Sequence, residues 1–205
     1  MTLYGSPGSR SPLVNWYLHE LGVEHENKPP GDASNPHPFG QIPALRDFVD
    51  DPDDPVELFE SGAILQYLAD RYGGLDTAKK RAAAGKWVVW ANASLDPCLF
   101  IENERGQVLD SGARARTPPK PLERLNVVLA TREWLGGDEF GVADVAVASY
   151  LLYVPQFFAD ASFARWPHIA KYMGRCCIRP AYAKAFGLPT AAALAERCEK
   201  WLAGT

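Results

Sequence analysis

Two rhythms of apolar residues divide the chain. In the first part, short apolar runs are separated by turn residues. Thr2 to Ser6 and Glu24 to Lys28 read as strands around a helix in which Leu13, Trp16, Tyr17 and Leu21 recur at helical spacing. That helix opens at about Arg10, tolerates Pro12 in its first turn, and stops at Gly22. Pro and Gly crowd the stretch from Pro29 to Gly40, which reads as loop. Ala44 to Val49 and Val56 to Phe59 form a hairpin around the acidic tip Asp50-Asp51-Pro52-Asp53-Asp54. No glycine-centred ligand spacing follows the tip, so it reads as a solvated turn and not as a calcium loop. Ile64, Leu65, Leu68 and Tyr72 then return to helical spacing, with Ser61 as the expected N-cap and Gly73-Gly74 as the stop.

Beyond a linker expected over Leu75 to Lys80, every periodic stretch is helical. Trp87, Trp90, Ala91 and Leu95 share one face, and Pro97 should kink or end that helix. Asp110 to Pro121 is polar and Pro-rich, a loop; Leu122 to Leu135 is the next helix, broken by Gly136-Gly137. An almost wholly apolar helix starts near Phe140-Gly141-Val142-Ala143-Asp144-Val145 and runs through Tyr153. With Gly141 as its cap, Asp144 at the third helical position can accept backbone N–H groups. Further helices are expected over Trp166 to Cys176, Arg179 to Phe186 and Ala191 to Leu202. The order β-α-β, then β-β-α, is a thioredoxin-like layout. The chain therefore reads as an α/β thioredoxin-like N-terminal domain, residues 1–75, and an all-α C-terminal helical domain, residues 76–205.

Composition narrows the function classes. The 205 residues are 47% hydrophobic and 22% charged, as in an ordinary globular protein. A net charge of −4 offers no electrostatic attraction to nucleic acid or to anionic membrane. No apolar run reaches transmembrane length, and the N-terminus has neither a charged region nor a long apolar stretch, so a membrane span, a secretory leader and a non-cytoplasmic location are not expected. Cys98, Cys176, Cys177 and Cys198 match neither zinc-ligand spacing nor a CxxC pair and read as reduced, mostly buried thiols.

Two short stretches carry chemistry. Glu60-Ser61 sits between a strand and a helix start, where free N–H groups and the helix dipole can hold a carboxylate. Upstream lies Gly40-Gln41-Ile42-Pro43-Ala44-Leu45. Together with Glu60-Ser61-Gly62-Ala63-Ile64-Leu65-Gln66-Tyr67-Leu68, this run resembles the cytosolic glutathione transferases. The turn Tyr4-Gly5-Ser6-Pro7-Gly8-Ser9-Arg10, followed by Trp16-Tyr17-Leu18-His19-Glu20-Leu21-Gly22, is similar to the serine-type classes and to the chi class in particular.

The resemblance implies the glutathione transferase fold, glutathione as co-substrate without a further cofactor, and a homodimer joined by the helix from Ser61 and the helix around Trp87. It implies a cis Pro43, with the Ile42 backbone pairing the cysteinyl unit of glutathione. It assigns the γ-glutamyl carboxylate to Ser61, the γ-glutamyl amine to Glu60, and the glycyl carboxylate to the neighbourhood of Gln41, where many relatives carry Lys; His37 reads as an exposed loop residue that would assist there at most. The reaction requires a thiolate. Ser9, Arg10 and Ser11 are the candidates to stabilise it: Ser9 as direct donor, Arg10 as electrostatic helper, Ser11 as support for the helix start. Gly5 stands where the tyrosine-type classes carry Tyr, and Arg10 where the beta class carries Cys. A hydrophobic electrophile would lie between the first turn and the helix bearing Trp87, Trp90 and Ser94. The functions in play are conjugation with possible peroxidase or isothiocyanate activity, a non-catalytic scaffold, and a thiol oxidoreductase of the same fold. The last is disfavoured because no cysteine precedes Cys98.

Overall fold

The computed structural model describes residues 1–204. Strands β1 (Thr2–Tyr4), β2 (Glu26–Lys28), β3 (Ala44–Asp47) and β4 (Val56–Phe59) form one mixed sheet in the order β2-β1-β3-β4. β1 pairs parallel with β2, while β1–β3 and β3–β4 are antiparallel. The crossover from β1 to its parallel neighbour β2 is α1 (Ser11–Leu21), as parallel pairing demands. α1 ends in a left-handed Gly22, and α2 (Ser61–Arg71) follows β4.

α3 (Ala78–Trp90) begins inside the stretch expected to be linker, capped by Thr77, whose hydroxyl accepts from Lys80 N–H at 3.2 Å. It then passes into a single π turn over Ala91–Leu95 and the short α4 (Asp96–Leu99). Pro97 thus falls in the first turn of α4, where a missing N–H is tolerated. The second domain is not all helical as expected: Ile101–Glu102 (β5) and Val108–Asp110 (β6) make a small antiparallel hairpin. α5 (Lys120–Leu129) starts and stops earlier than its apolar pattern suggested. α6 (Val142–Phe157), α7 (Pro167–Cys177), α8 (Pro180–Phe186) and α9 (Leu188–Ala203) complete the chain.

α6 is the core helix. Every residue from Val142 to Pro155 is buried, the state expected of a helix apolar all round. Its start is held by Asp144, which accepts from Gly141 N–H at 3.1 Å, Leu135 N–H at 2.8 Å and Tyr172 hydroxyl at 3.0 Å. Burial raises the Asp144 pKa to about 6, against those hydrogen bonds. The two domains are locked across α1 and α8. Glu20 accepts from Arg179 Nε and Nη2, both at 2.7 Å, and from Trp16 Nε1 at 2.8 Å, while the Arg179 guanidinium lies 3.8 Å over the Phe140 ring.

Candidate functional site

Strand register brings the three motifs together. Ala44 of β3 pairs with Tyr4 on one side and with Phe59 on the other. The turn after β1, the segment before β3 and the start of α2 after β4 therefore emerge at the same end of the sheet. Gly5 to Ser11, Ile42-Pro43 and Glu60-Ser61 become neighbours there. The Ile42–Pro43 peptide is cis.

The first turn is packed around Gly5. A Cβ at Gly5 would lie 2.2 Å from Ser11 Cβ and 2.3 Å from its Oγ, so no side chain fits there while Ser11 is buried beneath the turn. Ser9 Oγ donates to Ser6 carbonyl at 2.9 Å and accepts from Ser11 N–H at 3.0 Å. The Ser9 and Ser11 hydroxyl oxygens are 2.7 Å apart; with the Ser9 proton given to Ser6, Ser11 is the donor. Tyr153 hydroxyl adds a bond to Ser9 carbonyl at 3.1 Å. A sulfur atom placed over this turn gains the Ser9 proton by rotation about one bond, in exchange for the contact with Ser6.

Arg10 is the N-cap residue of α1 rather than its first helical residue. Its guanidinium leaves the turn and crosses to the helical domain. Nη2 donates to both Asp96 oxygens, at 2.7 and 2.9 Å, and the group lies 5.6 Å from the ring centres of Phe100 and Tyr150. Burial disfavours the Arg10 charge, but Asp96 and Tyr150 outweigh it and its pKa is raised. Burial likewise costs the Asp96 carboxylate more than Arg10 returns, so its pKa sits above the ordinary value, with Glu102 adding to the effect.

At the α2 end, Ser61 is buried and is the first helical residue, not the N-cap expected from the sequence. The cap is Glu60, whose φ of 67° makes it the one non-glycine with positive φ among the described residues. Such a backbone costs on the order of 1–3 kcal/mol and collects at functional sites. The first i→i−4 bond runs from Ile64 N–H to Glu60 carbonyl at 3.0 Å, so the N–H groups of Ser61, Gly62 and Ala63 precede it and face outward. Gln41 is exposed, its carbonyl accepting from Asn35 Nδ2 at 3.0 Å. His37, expected in solvent, is buried, its ring 4.7 Å from that of Phe59 and its Nδ1 accepting from Phe39 N–H at 3.2 Å. Among the described residues, no hydrogen bond joins Glu60 or Gln41 to the first turn.

The helical domain supplies groups that the sequence did not flag. Tyr150 donates to Asn92 Oδ1 at 3.1 Å; burial raises its pKa, and nearby Arg10 and Ser61 act in the opposite direction. Asn92 covers the start of α2, with Nδ2 only 2.6 Å from where a Cβ on Gly62 would sit. Asn92 belongs to the π turn and Asp96 follows it directly; such an extra residue re-aims the side chains after it. A cavity of about 480 Å³ opens beside Asp96, lined also by Asn92, Pro97, Phe100, Ile101 and Glu102. Trp87 and Trp90 do not line it; they pack edge-on against each other at 5.7 Å.

A small thioredoxin-like domain followed by a mostly helical one, with a cis-proline segment facing a helix start, defines a class that the comparisons identify. Residues 3–76 match the glutathione S-transferase N-terminal domain, and residues 98–180 the glutathione S-transferase C-terminal domain. The glutathione S-transferase GstB of Escherichia coli K12 is 30% identical over 190 residues, covering 83% of each chain. The disulfide-bond oxidoreductase YfcG of the same bacterium is 31% identical over 162 residues, 72% of each chain. A glutathione transferase from Burkholderia graminis, solved with two glutathione molecules bound per subunit, superposes at a TM-score of 0.69 with 25% identity, covering 92% of this chain and 88% of that one. The chain belongs to the glutathione S-transferase family.

Proposed function

We propose that the protein binds glutathione at the end of the sheet and activates its thiol for conjugation to hydrophobic electrophiles. In this reading the cysteinyl backbone pairs with Ile42 beside cis Pro43. The γ-glutamyl carboxylate takes the Ser61 hydroxyl and the outward N–H groups of α2, Glu60 takes the amine, and the glycyl carboxylate lies toward Gln41. The thiol proton leaves to solvent. The thiolate, held by the Ser9 hydroxyl with Ser11 behind it, gives its electron pair to the new S–C bond, and the leaving group departs with the electrons of the broken bond. Lowering a thiol pKa by two units needs about 2.7 kcal/mol of selective stabilisation, the scale of one good donor plus a cation nearby.

The observation that carries the proposal is the Arg10–Asp96 bond, which joins the first turn to the wall of the 480 Å³ cavity where an electrophile would sit. The serine-type, chi-like assignment rests on the same turn. Retention on immobilised glutathione followed by a conjugation assay with a chlorodinitrobenzene tests it. Retention without turnover would favour the scaffold, and neither would remove glutathione from the account. A homodimer through α2 and α3 belongs to this reading, supported by the exposed Val89 on α3; sedimentation at micromolar concentration checks it.

A second reading has its own support. YfcG is named a disulfide-bond oxidoreductase, and the Burkholderia relative holds two glutathiones. Were two glutathiones to bind here, the first thiolate would attack a disulfide substrate and expel one thiolate. The second glutathione would then resolve the mixed disulfide, leaving a dithiol and glutathione disulfide. No protein cysteine is needed, so the absence of one before Cys98 does not exclude it. Reduction of a small disulfide with release of glutathione disulfide is the discriminating assay.

A further inference from the structure

α6 is buried along almost its whole length, so each polar side chain it carries needs a partner inside the protein. Most of them serve the helical domain itself. Asp144 holds the helix start, Ser149 Oγ donates back to Val145 carbonyl at 2.6 Å, and Gln156 Nε2 donates to Leu152 carbonyl at 2.9 Å. Tyr150 and Tyr153 do otherwise. They are neighbours at i and i+3 on one face, and their hydroxyls lead to the two ends of the proposed glutathione site.

Tyr153 reaches the first turn directly, donating to Ser9 carbonyl at 3.1 Å. Its ring meets Phe157 and Phe186 edge-on, at 6.3 and 5.6 Å, which limits its freedom to swing away. Burial raises its pKa, so it stays a neutral donor. The bond fixes the Ser9 peptide, and with it the direction in which the Ser9 side chain leaves the backbone. That direction matters, because the Ser9 hydroxyl has competing partners in Ser6 carbonyl at 2.9 Å and Ser11 Oγ at 2.7 Å. A modest rotation of the peptide would aim the proton into the turn and away from a sulfur above it.

Tyr150 acts one step removed. It donates to Asn92 Oδ1 at 3.1 Å, and Asn92 Nδ2 lies 2.6 Å from where a Cβ on Gly62 would sit. Only a glycine at position 62 lets the amide come so close. Asn92 therefore props the first turn of α2, whose N–H groups and Ser61 hydroxyl are assigned to the γ-glutamyl carboxylate. The domains are locked elsewhere, through Glu20 and Arg179.

We propose that α6 positions the glutathione site from the second domain and divides the task between its two tyrosines. Tyr153 aims the Ser9 donor and so sets the ionisation of the bound thiol. Tyr150, through Asn92, seats the start of α2 and so sets the affinity for the γ-glutamyl end. All three are positioning residues, acting through groups that touch glutathione, and the proposal rests on the glutathione reading of the site.

The test compares the full-length protein with its Tyr153→Phe and Asn92→Ala variants. Each is titrated calorimetrically with S-methylglutathione, which has no thiol to ionise, and the thiolate absorbance of each glutathione complex is followed against pH. Tyr153→Phe should raise the thiol pKa by about half a unit to one unit, the worth of one neutral hydrogen bond, and leave S-methylglutathione affinity within about twofold. Asn92→Ala should weaken S-methylglutathione about three- to tenfold and leave the thiol pKa in place. Should Asn92→Ala not fold, Tyr150→Phe decides that arm, with a loss of about threefold. A role in joining the domains alone would lower the melting temperature and move both readings together in each variant, which overturns the proposal. So does an unmoved pKa in Tyr153→Phe, or an unmoved affinity in the second arm. If the unsubstituted protein binds neither ligand, the glutathione reading falls and this proposal with it. Binding without turnover removes conjugation alone, and the two readings still judge the positioning.

Discussion

Arg10 Nη2 lies 2.7 Å from Asp96 Oδ1 and 2.9 Å from Oδ2, so the residue opening the first helix is held by a carboxylate of the other domain. The side chains are 36% and 23% exposed, so the cost of taking both charges partly out of water offsets much of their attraction. The pair's greater effect is on charge. While Asp96 is ionised, the Arg10 guanidinium is already matched, and its pull on a nearby thiolate is reduced.

Asp96→Asn should therefore free the Arg10 charge and lower the pKa of bound glutathione, while Arg10→Ala raises it. The thiolate absorbance of the complex, followed against pH, reads both. A rise in Asp96→Asn would mean that Arg10 acts only to join the domains.

Ser9→Ala should raise the same pKa more than Arg10→Ala does. The hydroxyl gives one short directional bond, whereas the guanidinium acts through a longer, salt-screened path. The Arg10→Ala effect should shrink in high salt and the Ser9→Ala effect should not. If only Arg10→Ala moves the titration, the two roles are exchanged.

Ser61→Ala should weaken glutathione binding by about 1.5–3 kcal/mol, the worth of a hydrogen bond to a charged group. Turnover at saturating glutathione should change far less, because the proposed contact is remote from the sulfur and equal in ground and transition states. Calorimetry with unchanged affinity would remove Ser61 from the site.

Gly5→Ala should cost about 1–3 kcal/mol, as overpacking does, because the new methyl meets Ser11 Cβ at 2.2 Å. Denaturant titration measures it. The displaced Ser11 would take the Ser9 hydroxyl with it, so thiolate formation should fall together with stability.

Asp144 gives a pH signature of folding. Its folded pKa of about 6 lies above the unfolded value of 3.8, so the native state binds the proton more tightly. This contribution is full below pH about 4 and is lost as pH rises through about 6, a change on the order of 3 kcal/mol. Asp144→Asn should lack that slope, so the advantage of the natural residue in thermal melts should narrow across the window. A parallel pH dependence in both proteins would sink the assignment.

How much of this was readable in advance depends on how far apart the interacting groups lie. The strands, α1, α2 and the Asp144 cap were legible because their signals are local: apolar period, a glycine stop, a carboxylate three residues from its donor. The cis Pro43 and the meeting of the three motifs followed from a recognisable family pattern, which itself records those local needs. Single residues near these motifs still went astray. His37 was expected in solvent because a Pro-rich loop predicts exposure, yet the Phe59 ring shelters it.

By itself, the sequence determined the division into a thioredoxin-like and a helical part, the order of elements and the glycine at position 5, since each follows from propensity, periodicity or a missing side chain. Tertiary structure alone decided where Arg10 points, that Glu60 carries a positive φ, and that Asn92 and Asp96 leave a π turn toward the first domain. Each of these depends on a group tens of residues away. A side chain's electrostatic partner and the backbone's tolerance of strain are settled only when packing brings distant segments to a few ångströms, and no local pattern encodes that distance.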